Sequence, residues 1–227
     1  MKVVLGPGTG HGQGFLCKSK FAPCYEVYPT EGGHVEFAPR NQEEFDLLQF
    51  AHEYITTSEN EENLRGKTDK LTRVSHERLG AGPAVPLIYE FYKKRHPELE
   101  RVLEKGENAK TPEKILSHDI IDQGVNKKDP LCLKVVTKFT EIFAVEAGDL
   151  ALKTLPYGGI YLVGGVTMGL SQFIEHESVF RHTFYEKGRM SGIMRRFPIM
   201  ILRPEVELGI LGAEEYSYRL AGSFTKP

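Results

Sequence analysis

The chain has 227 residues, enough for one large domain or two small ones. With 40% hydrophobic and 26% charged residues, it has the composition of a soluble protein that can fill a core. The formal net charge of -2 excludes the broad basic field of a nucleic-acid-binding protein and the polybasic patch of a membrane-surface protein.

The cysteines and the apolar runs indicate the cellular compartment in which the protein works. Cys17, Cys24 and Cys132 are an odd set without Cys-x-x-Cys spacing, which favours reduced thiols over a disulfide framework. No apolar run approaches the ~20 residues that a membrane-spanning helix needs. The first residues run into a glycine-rich turn and carry no signal-peptide core. We therefore expect a soluble, cytoplasmic protein.

Three short strands open the chain. Residues 2–5, 13–18 and 24–28 predict strands separated by short turns, and residues 25–28 are rich in aromatic and β-branched side chains. Because the connections are short, the strands predict an antiparallel meander.

The turn after the first strand contains Gly6, Gly8, Thr9 and Gly10. It does not fit a dinucleotide-binding fingerprint, because that motif opens a helix directly after its glycines, whereas residues 15–17 continue as a strand. Consecutive glycine N–H groups can still bind a phosphate, and the Thr9 hydroxyl would add a donor. The alternative is a plain hairpin turn without a ligand.

The segment after the third strand places Glu31 and His34 three residues apart, separated by Gly32 and Gly33. A carboxylate accepts two hydroxyl hydrogens and an imidazole exchanges one more, so the pair suits a polyol. The glycines leave the backbone bare beneath such a ligand. The alternative is a turn with a surface glutamate and a packed histidine.

Residues 41–55 predict a helix, because apolar side chains recur at three- and four-residue steps and Asn41 is a suitable N-cap. The polar stretch 56–70 predicts an exposed loop insertion, and residues 94–110 predict a second charged connector. Between them, Glu77 precedes a glycine-rich entry into an apolar helix. By itself, Glu77 suits a solvated or salt-bridged surface position.

The second half of the chain alternates helices and strands. Thr-Pro-Glu at 111–113 and Asp-Pro at 129–130 are helix starts, and the second helix is long and apolar enough to be central and buried. A buried strand at 160–163 leads to Gly164 and Gly165, where an open α/β sheet binds ligands. The remaining elements are a helical region at 168–180, a strand at 198–202 and a helix at 208–220.

Taken in order, these segments resemble the bacterial-type glucokinases of the hexokinase/actin-like superfamily. The residues that carry the resemblance are a phosphate loop at 5–10, a sugar-binding signature at 30–39, a further sugar-binding segment at 73–79 with Gly82-Pro83, an adenosine-side strand and turn at 161–165, and the Lys-Gly-Arg-Met segment at 187–190. The related repressor/kinase family expects a cysteine-rich zinc motif that is absent from this sequence. The resemblance therefore favours the glucokinase branch, without structural zinc.

The resemblance implies an actin-like, ribonuclease H-like α/β lobe. Its mixed sheet would combine the three-stranded antiparallel meander with alternating helices and strands. The activity implied is ATP-dependent phosphorylation of glucose to glucose 6-phosphate, with Mg²⁺ bridging the phosphates and held largely by them and by water. The implied glucose-binding residues are Glu31, Gly32, Gly33, His34 and Glu77. The implied ATP-binding residues are Gly6, Gly8, Thr9, Gly10, Gly164 and Gly165.

The departure from the family lies at the start of the chain. Family members begin with another lobe, which carries the first phosphate loop and the aspartate that takes the proton from the sugar's 6-hydroxyl. Asp119 and Asp129 occupy ordinary helix positions and do not match that aspartate. We therefore expect residues 1–227 to be the large C-terminal lobe, inactive alone. The alternative is a non-catalytic sugar- or nucleotide-binding protein. Neither a nucleic acid nor a membrane is expected as a partner. A homodimer is possible.

Overall fold

The computed structural model describes residues 1–21, 24–57, 73–100, 116–203 and 207–222. Its strands form one five-stranded sheet in the order β3-β2-β1-β4-β5. The strands are β1 (Lys2–Pro7), β2 (His11–Lys18), β3 (Tyr25–Thr30), β4 (Ile160–Leu162) and β5 (Ile199–Ile201).

The sheet is mixed. The pairs β1–β2 and β2–β3 are antiparallel, with Val3 opposite Phe15 and Phe15 opposite Tyr28, so the predicted meander is confirmed. The strand β4 runs parallel to β1, and β5 runs parallel to β4, because helices carry the chain back between them. The carboxyl ends of β1 and β4 therefore lie at the same edge of the sheet.

Helices make up most of the remaining described chain. They are α1 (Gln42–Thr57), α2 (His76–Gly80), α3 (Ala84–Arg95), α4 (Ser117–Val125), α5 (Pro130–Thr154), α6 (Gly165–His176), α7 (Val179–Tyr185), α8 (Ser191–Met194) and α9 (Leu208–Leu220). Short 3-10 turns occupy Gly32–His34, Pro97–Leu99 and Gly188–Met190. None of the described helices is both long and apolar enough to cross a membrane.

The predicted central helix is α5, and its burial is confirmed. It packs against α3, α4, α7 and β1, and buries Phe139 and Phe143 almost completely. Its start is fixed by Asp129, whose side chain accepts a hydrogen bond of 2.9 Å from the Cys132 N–H. Its end is Leu155, which adopts the left-handed conformation with φ 48° and ψ 63°.

Some predicted boundaries were wrong. The helical region expected at 168–180 is two helices, α6 and α7, because the backbone becomes extended at Glu177. The helix α1 continues through Thr57, so the predicted loop cannot begin at residue 56, and α3 includes residues 94–95 of the predicted connector. Residues 58–70 and 101–110 of the two predicted connectors, and the helix start predicted at 111–113, lie outside the described residues.

The last helix, α9, differs from the others in its packing. None of its residues is buried, and Ile210, Tyr216 and Leu220 are more than half exposed. One of its contacts with the sheet is a hydrogen bond of 2.7 Å from Arg219 Nη1 to the Tyr25 carbonyl oxygen on β3.

Candidate functional site

The loop after β3 is the first part of the site. Its 3-10 turn begins with Gly32, whose N–H donates a hydrogen bond of 3.0 Å to the Thr30 hydroxyl. Gly33 is buried, and a β-carbon there would collide with the His11 carbonyl oxygen on the neighbouring strand. The close approach of the two backbones therefore requires glycine at position 33.

The side chains of Glu31, His34 and Glu77 converge. His34 Nε2 lies 3.7 Å from Glu31 Oε2, and His34 Nδ1 lies 3.9 Å from Glu77 Oε1. The side chain of Glu31 is 91% exposed, whereas that of Glu77 is only 26% exposed. Glu77 is therefore mostly enclosed and lies opposite the loop. It does not occupy the solvated surface position that its sequence context alone would suit.

Glu77 is joined to the glycine turn between β1 and β2. The His11 N–H donates a hydrogen bond of 2.8 Å to Glu77 Oε2. A β-carbon at Gly10 would lie 2.7 Å from the same oxygen, so the turn approaches the carboxylate as closely as glycine allows. The predicted sugar-binding residue Glu77 and the predicted phosphate loop therefore lie in contact.

The glycine turns at the ends of β1 and β4 also pack together. The Gly82 N–H donates a hydrogen bond of 2.8 Å to the Gly8 carbonyl oxygen, which ties the turn to the start of α3. A β-carbon at Gly6 would lie 2.5 Å from the Val163 carbonyl oxygen. Gly164 has φ +93°, and a β-carbon there would lie 2.9 Å from the Pro7 carbonyl oxygen. These contacts explain why both turns are glycine-rich.

A cleft of about 500 Å³ opens beside these turns, between α4 and the start of α6. Its lining includes Gly8, Thr9 and Gly165, which the sequence predicted, and Ser117, His118 and Asp122, which it did not. The Ser117 hydroxyl donates a hydrogen bond of 2.8 Å to the Gly82 carbonyl oxygen, so α4 is joined to the same turn. A signal was available: polar side chains recur every four residues at His118, Asp122 and Asn126, which places them on one helix face. Of the other predicted residues, Gly6 and Gly164 make the close backbone contacts described above, and Gly10 lies against the Glu77 carboxylate.

A buried polar group underlies the site. His76 Nδ1 lies 3.5 Å from Glu146 Oε2, and the Gln13 side-chain amide donates to Glu146 Oε1. Burial lowers the pKa of His76 to about 3 and raises the pKa of Glu146. The His11 ring packs edge-on against His76 at 5.1 Å between centroids, and burial lowers its pKa as well. This group was missed by the sequence reasoning, since its members come from separate elements and share no motif.

The family model and the curated relatives agree on one family. The family model described as Glucokinase matches residues 1–219. A glucokinase of Trichormus variabilis is 38% identical, over 96% of this chain and 61% of the relative. A glucokinase of Nostoc punctiforme is 35% identical over the same shares. The chain therefore spans about three fifths of the length of these curated relatives.

Solved structures share the fold. The glucokinase of Leishmania braziliensis has a TM-score of 0.74 at 17% identity, covering 96% of this chain and 52% of that one. The glucokinase of Balamuthia mandrillaris, solved in complex with glucose, has a TM-score of 0.72 at 19% identity, covering 93% and 52%. A ROK family glucokinase of Streptomyces griseus, in complex with glucose and AMPPNP, has a TM-score of 0.50 at 15% identity, covering 88% and 55%. These likenesses confirm the predicted actin-like α/β fold.

Proposed function

The chain belongs to the glucokinase family, and from this we propose that it supplies the glucose- and ATP-binding lobe of an enzyme that phosphorylates glucose to glucose 6-phosphate. The observation that carries the proposal is the convergence of Glu31 and Glu77 on His34 beside the glycine turn. Two acceptor groups and an imidazole at one place suit a ligand with several neighbouring hydroxyls.

The sugar would bind between the exposed Glu31 and the half-enclosed Glu77, above the glycine floor at 32–33. Each carboxylate would accept hydrogen bonds from ring hydroxyls, and His34 would donate or accept one more. A sugar that lacks one of these hydroxyls would leave an acceptor unpaired, which is how such a site selects its substrate.

The nucleotide would bind in the cleft of about 500 Å³ beside Gly8, Thr9 and Gly165. The N–H groups at the start of α6 favour a phosphate, and the Thr9 hydroxyl adds a donor. In the glycine turn, the Gly8 N–H already donates a hydrogen bond of 2.7 Å to the Gly10 carbonyl oxygen. The AMPPNP named for the Streptomyces griseus structure is an ATP analogue and supports this ligand class. Within the described ranges, no group of three or more His, Cys, Asp or Glu could hold a metal ion. With ATP bound, a Mg²⁺ ion would be held largely by the phosphates and by water.

The catalytic base would come from a second lobe that precedes these residues. Two contacts argue against Asp119 and Asp129 as that base. Asp129 caps α5 through the Cys132 N–H, and Asp119 lies 2.9 Å from His118 Nε2 and is 7% exposed. Both carboxylates are thus engaged in local structure. The free thiols of Cys17, Cys24 and Cys132 suit a reducing, cytoplasmic compartment.

The test measures binding and turnover separately. Calorimetry on the purified chain should detect one glucose site and one AMPPNP site. The chain is then joined to the N-terminal lobe of the Trichormus variabilis relative and assayed for ATP-dependent glucose phosphorylation, with the intact relative as the control for lobe assembly. Binding of both ligands without turnover in the chimera would favour the non-catalytic alternative. Failure to bind glucose in either form would reject the proposed function.

A further inference from the structure

The helix that carries Glu77 is too short to hold its own position. The helix α2 consists of the five residues His76–Gly80, and the Ser75 side chain at its start makes no capping hydrogen bond. One helical turn is unstable in isolation, because few hydrogen bonds offset the ordering of its backbone. The position of Glu77 must therefore come from contacts made by other elements.

His11 makes two such contacts, one near each end of α2. Its backbone N–H donates a hydrogen bond of 2.8 Å to Glu77 Oε2. Its ring nitrogen Nδ1 lies 2.8 Å from the carbonyl oxygen of Gly80, the last residue of the helix. Because a carbonyl oxygen only accepts, Nδ1 carries the hydrogen, and the ring is in the Nδ1–H tautomer.

The surroundings of the His11 ring indicate what this hydrogen bond contributes. The side chain is buried against His76 and against Phe143, whose ring lies 6.1 Å away between centroids. Among the described residues, His11 Nε2 has no hydrogen-bond partner, and an unpartnered buried nitrogen costs free energy. An apolar side chain would fill this space without that cost. The feature specific to an imidazole here is the bond from Nδ1 to Gly80.

We infer that His11 is a positioning residue: it ties α2 at both ends and so holds the Glu77 carboxylate opposite His34. This inference rests on the proposed role of Glu77 in sugar binding. The start of α2 is also joined to this loop segment, because the His76 N–H donates a hydrogen bond of 2.7 Å to the Val35 carbonyl oxygen. Without the bond from His11 to Gly80, the end of α2 would be held less firmly, and the Glu77 carboxylate would shift relative to His34. The expected result is weaker sugar binding with little change at the nucleotide cleft.

Two substitutions at position 11 separate positioning from packing. His11→Leu keeps an apolar filler and removes the bond to Gly80, whereas His11→Asn places an amide N–H close to the position of Nδ1. We expect His11→Leu to raise the glucose Kd on the order of tenfold, since one buried hydrogen bond is lost. The Kd for AMPPNP should change by less than about twofold, and His11→Asn should recover most of the glucose affinity.

Phe143→Leu is the matched control, because it alters the packing around the same ring and keeps the bond to Gly80. It should lower the unfolding temperature and leave the glucose Kd within about threefold. If His11→Leu weakens glucose and AMPPNP equally, or if His11→Asn gives no recovery, the residue has a packing role and the inference is overturned.

If the unmodified chain binds no glucose, the proposed function fails, and this inference is then decided by crystal structures of the His11 variants. The separation of His34 Nδ1 and Glu77 Oε1, which is 3.9 Å here, should increase in His11→Leu and return in His11→Asn. An unchanged separation in His11→Leu would overturn the inference.

Discussion

Glu31 and Glu77 lie at the two nitrogens of one imidazole: Glu31 Oε2 is 3.7 Å from His34 Nε2, and Glu77 Oε1 is 3.9 Å from His34 Nδ1. The arrangement is asymmetric, because Glu77 is fixed by the His11 N–H while Glu31 is almost fully exposed. Glu31 therefore forms the open side of the site, and a ligand that binds there covers it.

Replacing Glu31 by glutamine should weaken glucose binding about ten- to a hundred-fold, measured by calorimetry on the chain joined to the N-terminal lobe of the Trichormus variabilis relative. The substitution keeps the shape of the side chain but removes the charge that strengthens its bonds to sugar hydroxyls. AMPPNP affinity should stay the same, because Glu31 is not among the residues that line the nucleotide cleft.

Glu36→Gln is the control for that experiment. Glu36 belongs to the same segment, is exposed and pairs with Arg73 at 3.1 Å. Arg73 Nη1 also donates a hydrogen bond of 2.7 Å to the His34 carbonyl oxygen, and glutamine at position 36 keeps an oxygen that can accept from Arg73. Its glucose affinity should match that of the unmodified protein. An unchanged affinity in Glu31→Gln, or an equal loss in both variants, would count against the assignment of Glu31.

The chain alone should not phosphorylate glucose. Glu31 and Glu77 are assigned to ring hydroxyls, and moving either to the 6-hydroxyl would leave its own position empty. Loss of a positioned base costs about 10²–10⁴-fold in rate, and an open cleft weakens the contacts to the transferring phosphoryl group further. A coupled assay with ATP, Mg²⁺ and glucose measures this. Turnover near the ~10 s⁻¹ typical of enzymes would mean that the base lies within these residues.

Acid should destabilise the fold through His76. Its pKa is about 3 when buried, against 6.5 as the ordinary value, so the unfolded chain binds an extra proton between these pH values. The His76 contribution to the free energy of unfolding therefore falls by up to about 1.4 kcal/mol for each pH unit below 6.5 and levels off near pH 3. The raised pKa of Glu146 acts in the opposite direction. The measurement is thus the difference between the chain and His76→Phe in urea unfolding from pH 7 to 5.

As the pH falls from 7 to 5, the free energy of unfolding should decrease more in the unmodified chain than in His76→Phe, whatever the difference between the two at pH 7. A difference that stays constant over the range would show that His76 binds its proton as readily in the folded as in the unfolded chain.

Leu155→Gly should stabilise the chain by about 1 kcal/mol in urea unfolding. Leu155 ends α5 with φ 48°, so glycine relieves a left-handed backbone. The side chain is 42% exposed, and the packing that it loses offsets part of this gain. Leu152→Gly is the control: Leu152 lies inside the same helix, and glycine there should destabilise. A loss of stability in Leu155→Gly would mean that the side chain contributes more than the backbone costs.

The sequence predicted the parts of the fold that local patterns determine. Short strands with short turns predicted the meander, and the Asp-Pro signal at 129–130 predicted the start of α5. The meeting of Glu31 with Glu77 came from family resemblance, because no local pattern relates positions so far apart in the chain. The contact between Gln13 and Glu146 joins a strand to a helix across the core, so no spacing in the sequence could reveal it.

The exposed face of α9 has a practical consequence for work on the isolated chain. This helix has no buried residue, and it exposes a hydrophobic surface made of Ile210, Tyr216 and Leu220. Concentrated samples should self-associate through this surface. Sedimentation velocity should then show a single monomeric species only after dilution, or in a variant that carries Ile210→Lys and Leu220→Lys. Calorimetric titrations of ligands should therefore be made at low protein concentration, where self-association does not contribute to the measured heats of binding.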